Sequence, residues 1–181
     1  TVAREVADVI LETDDLSAML TAIEHGRVIH ADIKKAVRFI LATNTSEILL
    51  TLASVAAGFG EGMTPMQLLW INLVSDGLPA LALGFEPPER AVMRRPPRHP
   101  QESLFAGGLG LHILWVGLLM GLGTIGIFGW AHRNQDLAHG QTMTFFTLMM
   151  FQMFHVLAIR SERDYLWTIG LFSNPKLMGA V

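Results

Sequence analysis

Apolar residues in this chain gather into four long runs divided by short polar stretches. The runs cover about Ala36 to Phe59, 66–85, Leu104 to Trp130 and Thr142 to Ile159, and a fifth begins near residue 175 and is truncated. At ~1.5 Å of rise per helical residue, each complete run is close to the ~30 Å of a bilayer's hydrocarbon core. Before them, residues 1–26 alternate differently. Val9, Ile10 and Leu11 form a short apolar run suited to a buried strand. Leu16, Met19, Leu20 and Ile23 recur at i, i+3, i+4 and i+7, which predicts an amphipathic helix. The pattern therefore predicts an all-α membrane protein: a polytopic helical bundle of about four complete spans and the start of a fifth. A short soluble α/β remnant at the N-terminus precedes it.

The polar residues inside the runs carry the chemistry. In the first run Asn44 and Glu47 lie i, i+3 on one helical face, with Thr43 and Ser46 beside them. In the second, Asn72, Ser75 and Asp76 lie at i, i+3 and i+4, and Gly77 and Pro79 follow directly. Proline lacks an N–H and crowds the carbonyl four residues back, here that of Ser75. The helix is expected to loosen at Ser75–Gly77 and leave carbonyl oxygens free beside a carboxylate. Irregular backbone at that depth is tolerated where it is buried or lines a cavity, and acids there mark functional sites. The fourth run contributes Gln152, with His155 one turn further on. Gly117 and Gly121 of the third run have the spacing of a close helix–helix contact, and His112 reads as structural. Met143, Met149, Met150 and Met153 read as a packing face rather than soft-metal ligands.

Charge orients the runs. Lys34, Lys35 and Arg38 lie in a hinge region (27–38) before the first run, and with no Gly or Pro between Ala31 and Ala57 one continuous helix is expected from about Ala31 to Phe59. Arg90, Arg94, Arg95 and Arg98 sit in a loop stiffened by Pro87, Pro88, Pro96, Pro97 and Pro100, and Arg160 and Arg163 follow the fourth run. Of thirteen Lys and Arg, only Arg133 falls in a segment assigned to the far side, the loop 131–141. By the positive-inside rule the basic side is cytoplasmic. The expected location is a multi-pass protein of the plasma (inner) membrane. With 51% hydrophobic and 16% charged residues, against about 25% charged in soluble domains, composition agrees. A net charge of −3 argues against a nucleic-acid partner, and the absence of cysteine excludes disulfides and thiolate metal sites within the chain. There is no signal-peptide pattern, and both ends look cut.

The stretch LLWINLVSDGLPALALGFEPPERAVMRRPPR, residues 68–98, resembles the sixth transmembrane segment and following cytoplasmic loop of P-type cation ATPases related to the sarcoplasmic reticulum calcium pump. The residues around Lys34, Lys35, Asn44 and Glu47 are similar to the start of that family's fifth span, and residues 1–26 to the C-terminal end of its phosphorylation domain. The resemblance implies that 27–181 is transport domain. It implies too that the phosphorylated aspartate and the ATP site belong to upstream domains of the same polypeptide, so no catalytic or cofactor-binding residue is assigned here. ATP and Mg²⁺ would be bound there, Ca²⁺ would be the transported ion, and the bilayer would be the immediate partner.

The implied ion ligands are Asn44, Glu47, Asn72, Ser75, Asp76 and Gln152. All offer oxygen, which suits a hard cation, and together they can supply the about 6–8 oxygens of one Ca²⁺ but not of two. Two departures from the sarcoplasmic pattern matter. Ser75 stands for Thr, which keeps the hydroxyl, while Gln152 stands where that pump's eighth span has Glu, which loses a charge. The implied function is an ATP-driven pump exporting Ca²⁺ from the cytoplasm by alternating access. The alternatives are a relative moving Mn²⁺, Mg²⁺, Na⁺ or H⁺, and a non-catalytic channel or subunit made of these spans alone.

Overall fold

A computed structural model of the chain describes residues 6–7, 10, 15–89, 92–94, 96–97, 101, 103, 105, 107–161, 168 and 170–181. Val9 and Leu11 of the strand expected at 9–11 lie outside the described residues, as do Arg90, Arg95, Arg98, Pro100, Leu104 and Arg163, while Ile10 is exposed and in no regular structure. Helix α1 is Leu16–Ala56, opened by Asp15, whose carboxylate accepts from the Ser17 amide at 2.8 Å and hydroxyl at 2.7 Å. Those bonds hold the Asp15 carboxyl below the usual carboxylate range. At 41 residues α1 is about 60 Å long, twice a bilayer core. The hinge region 27–38 is continuous helix, as expected from about Ala31 onward: the amphipathic helix and the first run form one rod with no Gly or Pro between Arg27 and Ala57.

After a turn at Ala57–Gly58, where Gly58 takes φ +71°, the second run begins with a capping box. The Thr64 amide donates to Gln67 Oε1 at 2.8 Å, and Thr64 Oγ1 accepts from the Gln67 amide at 3.3 Å. Helix α2 (Pro65–Trp70) passes into a π-helical turn, Ile71–Asp76, and then into helix α3 (Gly77–Leu83). The run is therefore irregular as expected but not unwound, since the backbone widens by one residue and stays helical. Pro79 explains a detail of the turn. In i→i+5 pairing the Val74 carbonyl would need the N–H that Pro79 lacks, and the Gly77 N–H bonds it instead.

Helix α4 (Leu109–Asn134) follows Gly107 and Gly108, both with positive φ, and α5 (Leu137–Ala158) follows after only Gln135 and Asp136. The loop expected at 131–141 is thus mostly helix. Gln141 still reaches across this end of the bundle, donating to the Glu61 carbonyl at 2.9 Å. A short helix α6 (Pro175–Ala180) is capped by Asn174 Oδ1, which accepts from the Leu177 amide at 3.0 Å.

Among the described residues, three segments are long and apolar enough to cross a membrane: Ser17–Ala56, Pro65–Leu83 and Leu109–Asn134. The fourth expected span coincides with α5, which has the length at 22 residues and carries Gln141, Thr142, Thr144, Thr147, Gln152 and His155 along it. Large apolar residues face outward (Leu52, Leu73, Leu111, Leu122, Phe154), as a helical membrane protein requires.

Helix α4 packs on α1 through its glycines. A Cβ on Gly117 would come within 2.7 Å of Thr45 Cβ and 3.1 Å of the Ala42 carbonyl oxygen. Gly117→Ala is expected to destabilise the folded protein by about 1–3 kcal/mol through overpacking. Gly126→Ala, where nothing lies within 4 Å, should leave stability unchanged or raise it. Thermal unfolding of the complete protein in detergent checks the pair, and equal melting temperatures would contradict the packing argument.

Candidate ion-binding site

Two apolar layers bracket the site. One holds Phe39, Ala80, Ala82, Leu83, Val156, Ile159 and Leu177; the other holds Leu50, Ile71, Met120, Phe128 and Leu148. Between them α1, the π-turn and α5 each present polar groups: Thr43, Ser46 and Glu47; Ser75 and Asp76; Gln152. All six are buried. A polar layer between apolar ones in a membrane bundle must satisfy itself internally.

Glu47 is the junction. Its Oε2 accepts from Asn72 Nδ2 at 2.9 Å and its Oε1 from Gln152 Nε2 at 3.2 Å, so one carboxylate of α1 is held by amides from two other helical segments. Asn72 Nδ2 also reaches the Leu68 carbonyl at 3.0 Å, and its side chain is otherwise exposed. Asp76 is fixed separately. Its Oδ2 lies 2.7 Å from Thr43 Oγ1, one turn before Glu47 on α1, and that hydroxyl has the Ile40 carbonyl at 3.0 Å as its other acceptor.

Of the six residues read from the sequence, Glu47, Asn72 and Gln152 are thus joined directly. Asp76 joins the same face of α1 through Thr43. Ser75 is buried beside Asp76 without a hydrogen bond to the others. Asn44 is half-buried on α1, and no hydrogen bond ties it to the other five.

Two oxygens are left over. Asp76 Oδ1 and Gln152 Oε1 are buried and have no hydrogen-bond partner among the described residues. An orphaned acceptor inside a membrane bundle costs several kcal/mol unless a water or an ion meets it. No Lys, Arg or His is paired with Glu47 or Asp76 among the described residues, so neither is a structural ion pair. No group of three His, Cys, Asp or Glu forms there either, which leaves two carboxylates among neutral oxygens. That donor set fits a hard cation.

Sequence reasoning placed Thr43 beside the site but not in it, although its hydroxyl is what orients Asp76. The available signal was its spacing, one turn from Glu47 on the same face. His155 also went unassigned. It is buried, tilted on Phe39 and stacked on His112 with 5.6 Å between ring centroids.

The fold and site together define a class: a polytopic helical membrane domain that gathers carboxylates and amides at an irregular turn within its spans. The family described as cation transporting ATPase, C-terminus, matches residues 60–181, and the chain belongs to it. It is similar to a protein named calcium-transporting ATPase from Bacillus subtilis (strain 168), with 42% identity over 182 residues covering 99% of this chain and 20% of that protein. It is also similar to calcium-transporting ATPase 1 from Bacillus cereus (strain ATCC 10987 / NRS 248), with 34% identity over 194 residues covering 98% of this chain and 22% of that one. The chain spans about a fifth of the length of these relatives.

Proposed function

We propose that this chain is the ion-binding transmembrane part of an ATP-driven P-type pump that exports Ca²⁺ from the cytoplasm by alternating access. Asn44, Glu47, Asn72, Ser75, Asp76 and Gln152 are its ligands. Residues 1–26 close the phosphorylation domain and 27–181 form the transport domain, with the basic end of the bundle cytoplasmic. Hydrolysis of ATP, with its Mg²⁺, takes place on upstream domains of the same polypeptide. The plasma membrane is the proposed location.

The observation that carries this reading is the pair of buried carboxylates without a basic partner, one of whose oxygens, Asp76 Oδ1, is orphaned together with the Gln152 amide oxygen on a separate helix. A divalent cation entering there would gain both carboxylates and meet Asp76 Oδ1 and Gln152 Oε1. Its arrival competes with the amide bonds that now hold Glu47. Turning Gln152 and Asn72 so that oxygen rather than nitrogen faces the ion is the rearrangement binding requires.

Transport follows if α1 moves. Glu47 and Thr43 ride on one unbroken rod that projects far beyond the bilayer, so displacement of its free end shifts them against Asp76. The ligand cage opens and affinity falls. The π-turn offers a second degree of freedom, because such turns slip along a helix at little cost in hydrogen bonds.

The test is cation-dependent phosphoenzyme formation from ATP by the complete polypeptide in membrane vesicles, with Ca²⁺, Mn²⁺, Mg²⁺ and Na⁺ compared. Stimulation by Ca²⁺ at the lowest concentration is expected, and stimulation by none would end the proposal. In the same assay Ser75→Ala, which removes one neutral oxygen and no charge, is expected to raise the half-saturating Ca²⁺ only several-fold, on the order of 1 kcal/mol. Total loss of activity would instead make Ser75 a central ligand.

A further inference from the structure

A second buried polar cluster closes the basic end of the bundle, well away from the ion ligands. Arg160, two residues past α5, is 1% exposed, Glu86, three residues past α3, is 5%, and Asn174, the cap of α6, is 2%. Arg160 Nε donates to Glu86 Oε1 at 2.9 Å, and its Nη2 lies 2.7 Å from the same oxygen. Arg160 Nη1 donates to the Gly170 carbonyl at 3.0 Å, and the guanidinium also meets the Ser173 hydroxyl. Glu86 Oε2 accepts from Asn174 Nδ2 at 2.8 Å, and that amide also reaches the Ala82 carbonyl at 3.1 Å. Since Asn174 Oδ1 caps α6, every polar atom of this side chain is engaged.

Stability is a poor account of such a cluster. Desolvating a buried ion pair consumes most of its Coulomb energy, and apolar replacements of similar volume are often neutral or stabilising. Cohesion here is already supplied by the adjoining layer of Leu83, Val156, Ile159 and Leu177. What an apolar layer cannot do is fix register, since one helix end can slide or rotate against another with little loss of contact. A fork of guanidinium bonds with defined directions can. The two residues it joins are continuous with two site helices: Glu86 lies ten residues after Asp76, and Arg160 eight after Gln152.

We infer that Arg160, through Glu86 and Asn174, is a positioning residue that sets the register of the Asp76 segment against the Gln152 helix, and thereby the affinity of the ion site. The inference rests on the transport reading above. Arg160 touches no proposed ligand. Its effect passes along two short rigid segments, α3 and the last two turns of α5.

The experiment measures Ca²⁺-dependent phosphoenzyme formation and turnover of the complete polypeptide in vesicles, for wild type, Arg160→Lys, Arg160→Met and the double variant Arg160→Met/Glu86→Leu. The double variant leaves no unpaired buried charge from this cluster among the described residues, so it separates register from folding. The expected result for both Met variants is a rise in half-saturating Ca²⁺ of about tenfold, as for drawing one ligand contact out of place. Turnover at saturating Ca²⁺ should stay within about twofold. Arg160→Lys, which retains the charge opposite Glu86 but not the fork, should fall between. Unchanged half-saturation in the double variant overturns the inference, as does failure of that variant to accumulate, which would make the cluster a folding element. A wild type that ignores Ca²⁺ and every other cation would defeat the transport reading, and the positioning role with it. A wild type that responds, with variants that respond identically, would defeat the positioning role alone.

Discussion

Asp76→Asn is expected to abolish Ca²⁺-dependent phosphorylation by ATP in the complete polypeptide while leaving the protein folded and inserted. Asp76 is the one charged side chain in the π-turn, with Oδ2 tied to Thr43 and Oδ1 orphaned within the bundle. Asn keeps the size and one oxygen, so Thr43 retains an acceptor. What goes is the negative charge, on which a divalent ion depends in a site screened far less than water. Folding should tolerate the exchange, because a neutral amide is easier to bury than a carboxylate. The measurement is acid-stable phosphoenzyme at saturating ATP across a Ca²⁺ titration, with the amount of inserted protein determined in parallel. Phosphoenzyme near the wild-type level would remove Asp76 from the centre of the site.

The acid at Asp76 was legible from the sequence because burying it is costly, and a costly residue inside an apolar run calls for a reason. The same holds for Glu47. The partner of Glu47 was legible only as far as an amide in a membrane helix seeks the interior, and the Gln152 bond agrees with that expectation. Local patterning did not reveal the form of the irregular turn. Pro79 dictates that one carbonyl loses its donor, but opening the chain and widening it by one residue both meet that demand. The choice depends on packing around Ile71 and Ser75, which periodicity along one helix does not contain. The unbroken course of α1 through 27–38 was legible, because a basic cluster marks a membrane edge rather than a break and no residue there ends a helix. The cluster at Arg160 escaped notice because its members are far apart in sequence and each is ordinary alone. Arg160 read as a topological charge, Glu86 stood at the start of a basic, proline-rich loop, and Asn174 carried no reading of its own.

Glu47→Gln should produce the second-largest effect, and a different kind. Glu47 is the residue through which three helical segments meet: α1 provides it, the π-turn provides Asn72, and α5 provides Gln152. In the ion-free arrangement both carboxylate oxygens accept from amide nitrogens. A Gln at this position has one oxygen and one NH₂ group, so it can keep one of those bonds directly and the other only if the facing amide turns its oxygen inward. The bundle should therefore survive, at a cost of about one hydrogen bond, roughly 0.5–1.5 kcal/mol. Ion binding suffers more. Losing one of two carboxylates from a divalent site should weaken it by more than about 3 kcal/mol, or over a hundredfold in half-saturating Ca²⁺. With Asp76 intact, phosphorylation should return at high Ca²⁺, where Asp76→Asn does not recover. A Ca²⁺ titration of the two variants side by side decides the matter. If Glu47→Gln is dead at every concentration, the two carboxylates are equivalent and the central role of the π-turn is lost. If it titrates like wild type, Glu47 serves only to hold Asn72 and Gln152 together.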